Sequence, residues 1–85
     1  MEIKIGADEL ILWLRKNGKA TQCDNRTIGR RIANLMEKLG GRFGDSDAPA
    51  LWVLPNSDTS LPRTSQQYII DVDQLPELFR SLSEM

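Results

Sequence analysis

Residues 24–41 have the sequence DNRTIGRRIANLMEKLGG, and this stretch decides how the rest of the chain is interpreted. Apolar side chains recur in it at the spacing of one helix face. They are Ile28, Ile32, Leu35, Met36 and Leu39. Asp24 or Asn25 can cap the first turn by accepting a hydrogen bond from a free amide. The two glycines at the end can stop the helix, because glycine adopts the left-handed conformation at low cost. The pattern predicts an amphipathic helix over residues 26–39.

The opposite side of this helix is basic and rich in hydrogen-bond donors. Its side chains are Arg26, Thr27, Arg30, Arg31, Asn34 and Lys38. Two interpretations are open: the solvated outer face of a core helix, or a binding surface. A guanidinium group presents a planar fork of donors that suits phosphate oxygens, guanine edges and acidic protein surfaces equally well. Side-chain chemistry alone does not choose the partner.

The length of 85 residues predicts one domain, 1–85, in which every apolar face is needed for the core. The hydrophobic fraction of 40% and the charged fraction of 27% are ordinary for a soluble protein. No run of about 18 apolar residues and no leader pattern is present. We therefore expect a cytoplasmic protein without a membrane partner.

The chain has one cysteine, Cys23, and no histidine. This composition excludes a disulfide within the chain and nearly every zinc site or histidine-dependent catalytic arrangement. Neither paired catalytic carboxylates nor a glycine-rich phosphate loop is evident. The sequence therefore predicts a protein that is not an enzyme and that uses no cofactor or metal.

The net charge of −1 conceals an uneven distribution. Residues 15–42 contain eight basic and two acidic side chains, a local balance of +6, whereas residues 43–85 have a balance of −5. The overall basic excess typical of a nucleic-acid binder is absent. A basic surface confined to one segment is a weaker form of the same signal.

The remaining segments predict an α+β fold. Alternation predicts a short strand at 2–6, and helical spacing predicts helices over 8–17, capped by Asp8, and over 74–83, capped by Asp73. Residues 20–24 form a short extra helix in one interpretation and a plain link between two long helices in the other. Further strands are predicted at 42–43, 50–54 and 67–72, the last two forming an antiparallel hairpin around a long polar loop.

The phrase RTIGRRIANLMEKLGGRF, followed by ALWVL at 50–54, resembles the recognition helix and wing of winged helix-turn-helix DNA-binding domains, including those of phage and plasmid replication proteins. The resemblance covers about residues 8–72. It implies a compact winged-helix-like domain with three or four helices and a small antiparallel β-hairpin. It further implies that Thr27, Arg30, Arg31 and Asn34 face the major groove of duplex DNA, and that Arg63 at the hairpin tip contacts a neighbouring groove or phosphates.

The first hypothesis is thus a DNA-binding regulator of phage or plasmid transcription or replication. In it, four basic side chains contact the DNA phosphates: Lys16, Lys19, Arg26 and Lys38. The alternative is a protein-interaction module, such as a small phage-encoded inhibitor or adaptor that binds a larger nucleoprotein complex. Its basis is the uneven charge and the long loop. A homodimer formed through an unpaired N-terminal strand or through the final leucine-rich helix is a third hypothesis.

Overall fold

The computed structural model of the chain describes residues 1–19, 22–53 and 67–85. Those ranges contain a three-stranded antiparallel sheet and three α-helices, which confirms the α+β class. A 3-10 turn, Val72–Gln74, precedes the last helix. The elements follow in the order β1 (Glu2–Gly6), α1 (Ala7–Asn17), α2 (Asn25–Lys38), β2 (Arg42–Gly44), β3 (Gln67–Asp71) and α3 (Leu75–Glu84).

The sheet has the strand order β1-β3-β2, so the strand that comes last in the chain lies in the middle. Its side chains at positions 68, 69 and 70 are all buried, as a central strand requires. Ile3 of β1 lies opposite Ile70, and Ile5 lies opposite Tyr68. Phe43 of β2 lies opposite Tyr68 on the other side, with ring centroids 5.2 Å apart.

The predicted hairpin between 50–54 and 67–72 is wrong. Strand β3 pairs instead with β1 and β2, and Ala50 makes only an isolated parallel bridge to Lys4. Residues 51–53 have no regular secondary structure, and residue 54 lies outside the described ranges. The bridge lies on the outer edge of β1. There the backbone amide of Lys4 donates to the carbonyl oxygen of Pro49, and the carbonyl oxygen of Lys4 accepts from the amide of Leu51. The small hairpin is therefore replaced by a three-stranded sheet, and β1 is paired on both sides.

The core lies between one face of the sheet and the three helices. The sheet contributes the side chains of Ile3, Ile5, Tyr68 and Ile70 to it. The helices contribute Leu10, Leu14, Ile28, Ile32, Met36, Leu78 and Leu82, each at most 1% exposed. The apolar stripe of α2 therefore faces inward, and the other side of that helix lies outside the core.

Two predicted helix caps are wrong, although the helices themselves are confirmed. The residue before α1 is Gly6, and Asp8 lies within the first turn of the helix. Before α3, Asp71 accepts a hydrogen bond from the amide of Asp73 at 2.9 Å and so begins the 3-10 turn. Carboxylates two residues apart in such segments can each serve as a cap, and the sequence does not distinguish them.

The predicted short helix at 20–24 lies partly outside the described residues. In the described part, Gln22–Asp24 is not helical, which matches the plain link between two long helices. Gly18 ends α1, and a Cβ atom there would lie 2.7 Å from the carbonyl oxygen of Leu14 and 3.1 Å from that of Leu82. A glycine at this position therefore allows the end of α1 to approach α3 closely.

Gly29 lies inside α2, where glycine lowers helix stability relative to alanine. A Cβ atom at this position would meet only Cδ1 of Ile11, at 4.0 Å, an ordinary van der Waals contact. We expect Gly29→Ala to raise the free energy of unfolding by roughly 0.5–1 kcal/mol, because the helix loses its most flexible residue without a clash. Thermal unfolding followed by circular dichroism measures this, and a lower melting temperature would contradict the geometry.

Candidate nucleic-acid interface

The candidate interface is the outer side of α2, which is fixed in place by its inner side. Ile28, Ile32 and Met36, one helical turn apart, are 0–1% exposed in the core. Gly40, with φ of 77°, follows the helix and confirms the predicted glycine stop. Because successive residues are rotated by about 100°, burial of this row fixes which residues of α2 face outward.

The first turn of α2 is held by Asp24. Its carboxylate accepts a hydrogen bond from the amide of Thr27 at 2.8 Å, which confirms one of the two predicted caps. Hydrogen bonds from the amide and the hydroxyl of Thr27 lower the pKa of this carboxyl, and the positive charges of Arg15 and Arg30 lower it further. The cap fixes the end of the helix at which the arginines are concentrated.

We expect the contribution of Asp24 to stability to depend on pH. Because the pKa of Asp24 is lower in the folded than in the unfolded chain, the contribution is present above about pH 4, the unfolded value, and is lost as the pH falls through the folded pKa. Urea unfolding of the wild type and of Asp24→Asn, which caps without a charge, isolates this effect. The wild type should be more stable at pH 7, and the difference should shrink as the pH falls below about 4; an unchanged difference would contradict the assignment.

The six residues on the outer side of α2, which we call the basic face, are all exposed: Arg26, Thr27, Arg30, Arg31, Asn34 and Lys38. Apart from the Thr27 cap bonds, their side chains form no hydrogen bond or ion pair with the part of the chain that the structure describes. The structure thus brings together six of the nine predicted site residues on one helix side. Their donors point into solvent.

The other arginines in the described ranges behave differently. Arg42 donates to the Glu2 carboxylate through both of its terminal guanidinium nitrogens, at 2.5 and 3.0 Å. Arg80 donates to the Glu77 carboxylate through one terminal nitrogen and Nε, at 2.5 and 3.1 Å. These contacts raise the pKa of both arginines and lower that of both glutamates. The carboxylates of the described strands and of α3 are thus each paired with a cation other than those of the basic face. They do not neutralise the basic face.

Arg15 plays a role that the sequence interpretation missed. It lies in the last turn of α1, where a basic residue complements the helix dipole. Its guanidinium also donates to Oδ1 of Asn25, at 2.6 and 3.1 Å, and to the carbonyl oxygen of Cys23, at 2.9 Å. Arg15 therefore joins the end of α1 to the start of α2. No local pattern in the sequence indicates a contact between residues ten positions apart across a link.

Lys16 and Lys19, predicted to contact phosphates, lie exposed at the end of α1. The Arg15 contact places this end of the helix beside the first turn of α2. The backbone amide of Lys19 donates to the carbonyl oxygen of Met85. Arg63, the last of the predicted site residues, lies outside the described residues.

Glu37 is a second residue that the sequence interpretation did not use. It is exposed on the same side of α2 and is the one carboxylate there. Helical spacing could have identified it, because it lies seven residues, or about two turns, after Arg30. Its position divides the outer side of α2 into an arginine-rich N-terminal half and a mixed C-terminal half.

The described ranges contain no cluster of three side chains able to hold a metal ion, and none of their helices combines the length and apolarity that spanning a bilayer requires. We compared the chain with models of known families, with curated proteins and with solved structures, and none of the three comparisons gave a match. The function is therefore argued from the geometry of the basic face.

Proposed function

We propose that this chain is a small DNA-binding protein, a regulator of transcription or replication, that contacts duplex DNA through the basic face of α2. One observation carries the proposal. The arginines of α2 are exposed and form no hydrogen bond or ion pair with the described residues, whereas Arg15, Arg42 and Arg80 are each bonded within the chain. Guanidinium groups elsewhere in the described chain thus stabilise the fold, whereas those on the outer side of α2 remain available to a ligand.

The shape of this surface fits the major groove. An α-helix with its side chains is about 10–12 Å across, and the major groove of B-form DNA is about 12 Å wide. Guanidinium groups that project from such a helix reach both the base edges and the phosphates on either side.

The order of the elements is compatible with the same proposal. The basic helix α2 is followed directly by β2, an order also found in winged helix-turn-helix domains, which about residues 8–72 resemble. Strands β2 and β3 pair with each other. Arg63 lies between them in the sequence, and we propose it as a phosphate contact.

The proposal predicts binding that weakens steeply with salt, because each neutralised phosphate releases counterions. The five phosphate contacts proposed within the described ranges, from Lys16, Lys19, Arg26, Arg31 and Lys38, would by themselves give a slope of log affinity against log salt of about −4 to −5, and Arg63 would make it steeper. Fluorescence anisotropy with a labelled random duplex should show a loss of affinity of roughly 10²- to 10³-fold between about 50 and 200 mM salt. Absence of binding at about 50 mM would refute the proposal.

A second candidate, a protein-interaction module, is favoured by a separate observation. Phe43, at the edge strand β2, is 56% exposed, and Trp52 is 42% exposed. Exposed aromatic rings are enriched where proteins bind one another, and DNA reading by α2 does not need them. If the partner is a protein, the two should form a stoichiometric complex. The affinity of this chain for that protein should fall with Phe43→Ser and with charge reversal at Arg30, at Arg31 or within residues 58–63. Retained affinity in all of these variants would exclude this candidate.

A further inference from the structure

We propose that Arg30 and Asn34 are the base-reading residues of α2, and that the preferred DNA site has a guanine and an adenine about two base pairs apart. The inference rests on the proposed DNA-binding function and adds to it the sequence that is selected. It is supported by the position of these two side chains relative to the buried row of α2.

The most deeply buried row of α2 is centred on Ile32, with Ile28 and Met36 one turn away on either side. At about 100° per residue, Arg30 and Asn34 each lie about 160° around the helix axis from Ile32, on the two sides of the outermost line. They are thus the side chains farthest from the core. When the helix enters a groove, these two reach deepest.

The other members of the basic face lie lower on its two sides. Arg26 lies about 120° from Ile32 on one side, and Lys38 and Arg31 lie about 120° and 100° away on the other. These are the directions of the two phosphate backbones that flank a groove. Thr27 lies nearer the outermost line, but its side chain is short and its amide is bonded to the Asp24 carboxylate. The basic face therefore separates into a central pair and a flanking set.

The chemistry of the central pair specifies the bases. The guanidinium fork matches the two acceptors O6 and N7 of guanine, and the carboxamide matches the donor N6 and the acceptor N7 of adenine. Four residues along a helix rise by about 6 Å, and successive base pairs in DNA are about 3.4 Å apart. The two contacts therefore fall about two base pairs apart.

Selection of wild-type binding sites from a randomised duplex library, followed by titration of the best site and its single-base variants, tests this. We expect enrichment of a guanine and an adenine at that spacing, and a loss of roughly 5- to 150-fold on replacing either base. Arg30→Ala removes the donors that match O6 and N7, so it should lose discrimination at the guanine and retain it at the adenine. Asn34→Ala should do the reverse.

Arg26→Ala and Lys38→Ala are the matched controls, since both should weaken binding equally at all sequences. Melting curves establish that each variant is folded. A wild-type protein that binds duplexes without preferring any sequence, or central variants that weaken binding uniformly, would overturn the assignment while leaving the DNA-binding proposal intact. No binding to any duplex at about 50 mM salt would overturn both.

Discussion

Replacement of Arg26, Arg30 and Arg31 together by glutamate is expected to lower the affinity for duplex DNA by at least roughly 100-fold. The change removes two proposed phosphate contacts and one base contact, and it places three carboxylates against the DNA backbone. All three arginines are exposed and have no hydrogen bond or ion pair within the described ranges, so the free energy of unfolding should change by no more than about 0.5 kcal/mol per site. Anisotropy titration and thermal unfolding of the same preparation measure both effects.

The matched control for this variant is Arg80→Ala. Arg80 is also an exposed arginine on a helix, but it belongs to α3 and is paired with Glu77 and Glu84. It should leave DNA affinity within about two-fold of the wild type, since surface charges away from the interface are screened over about a Debye length. The triple variant changes the net charge by −6 and Arg80→Ala changes it by −1, so equal losses of binding free energy per unit of charge would mean that binding depends on overall charge and not on the basic face.

Truncation of Ile32 is expected to have the largest effect on stability. This side chain is 1% exposed at the centre of the buried row of α2, and Ile32→Ala leaves a cavity between the helix and the sheet. The expected cost is about 2–5 kcal/mol. A domain of this length has a total stability of only about 4–13 kcal/mol. Urea unfolding followed by tryptophan fluorescence measures the change.

Ile32→Val provides the graded control, because loss of one methylene group should cost only about 0.5–1.5 kcal/mol. Under conditions where Ile32→Ala remains folded, its DNA affinity should stay near that of the wild type, since Ile32 faces away from the interface. A cost below about 1 kcal/mol for the alanine variant would show that α2 is not anchored as described. Substitutions on the inner side of α2 should therefore lower stability, and substitutions on its outer side should lower DNA affinity.

The parts of the fold that depend on local patterns could be predicted from the sequence. Helix α2 begins and ends within one residue of the predicted bounds, because the spacing of its apolar residues, the Asp24 cap and the glycine at its end all act within a few residues. The same local spacing placed the basic side chains on a single side of the helix. For the same reason, α1 and α3 were predicted even where their caps were misassigned.

Strand pairing could not be predicted in this way. The apolar run at 50–54 and the run at 67–72 both have strand composition, but composition does not say which strands become neighbours. Pairing is decided by tertiary packing, which places β3 between β1 and β2 and leaves Ala50 with a single bridge. The role of Arg15 was missed for a related reason, because its partner Asn25 lies across the link between two helices.

If α2 binds duplex DNA through its basic face, the residues of that face should respond when DNA is added. Titration of the isotopically labelled protein with a short duplex, with amide chemical shifts followed by NMR, measures this response residue by residue. We predict that the largest shifts fall within residues 26–38 and at Lys16 and Lys19, while the strands β1 and β3 change little. Shifts that centre on the sheet or on α3, or a spectrum that stays unchanged at low salt, would contradict the account.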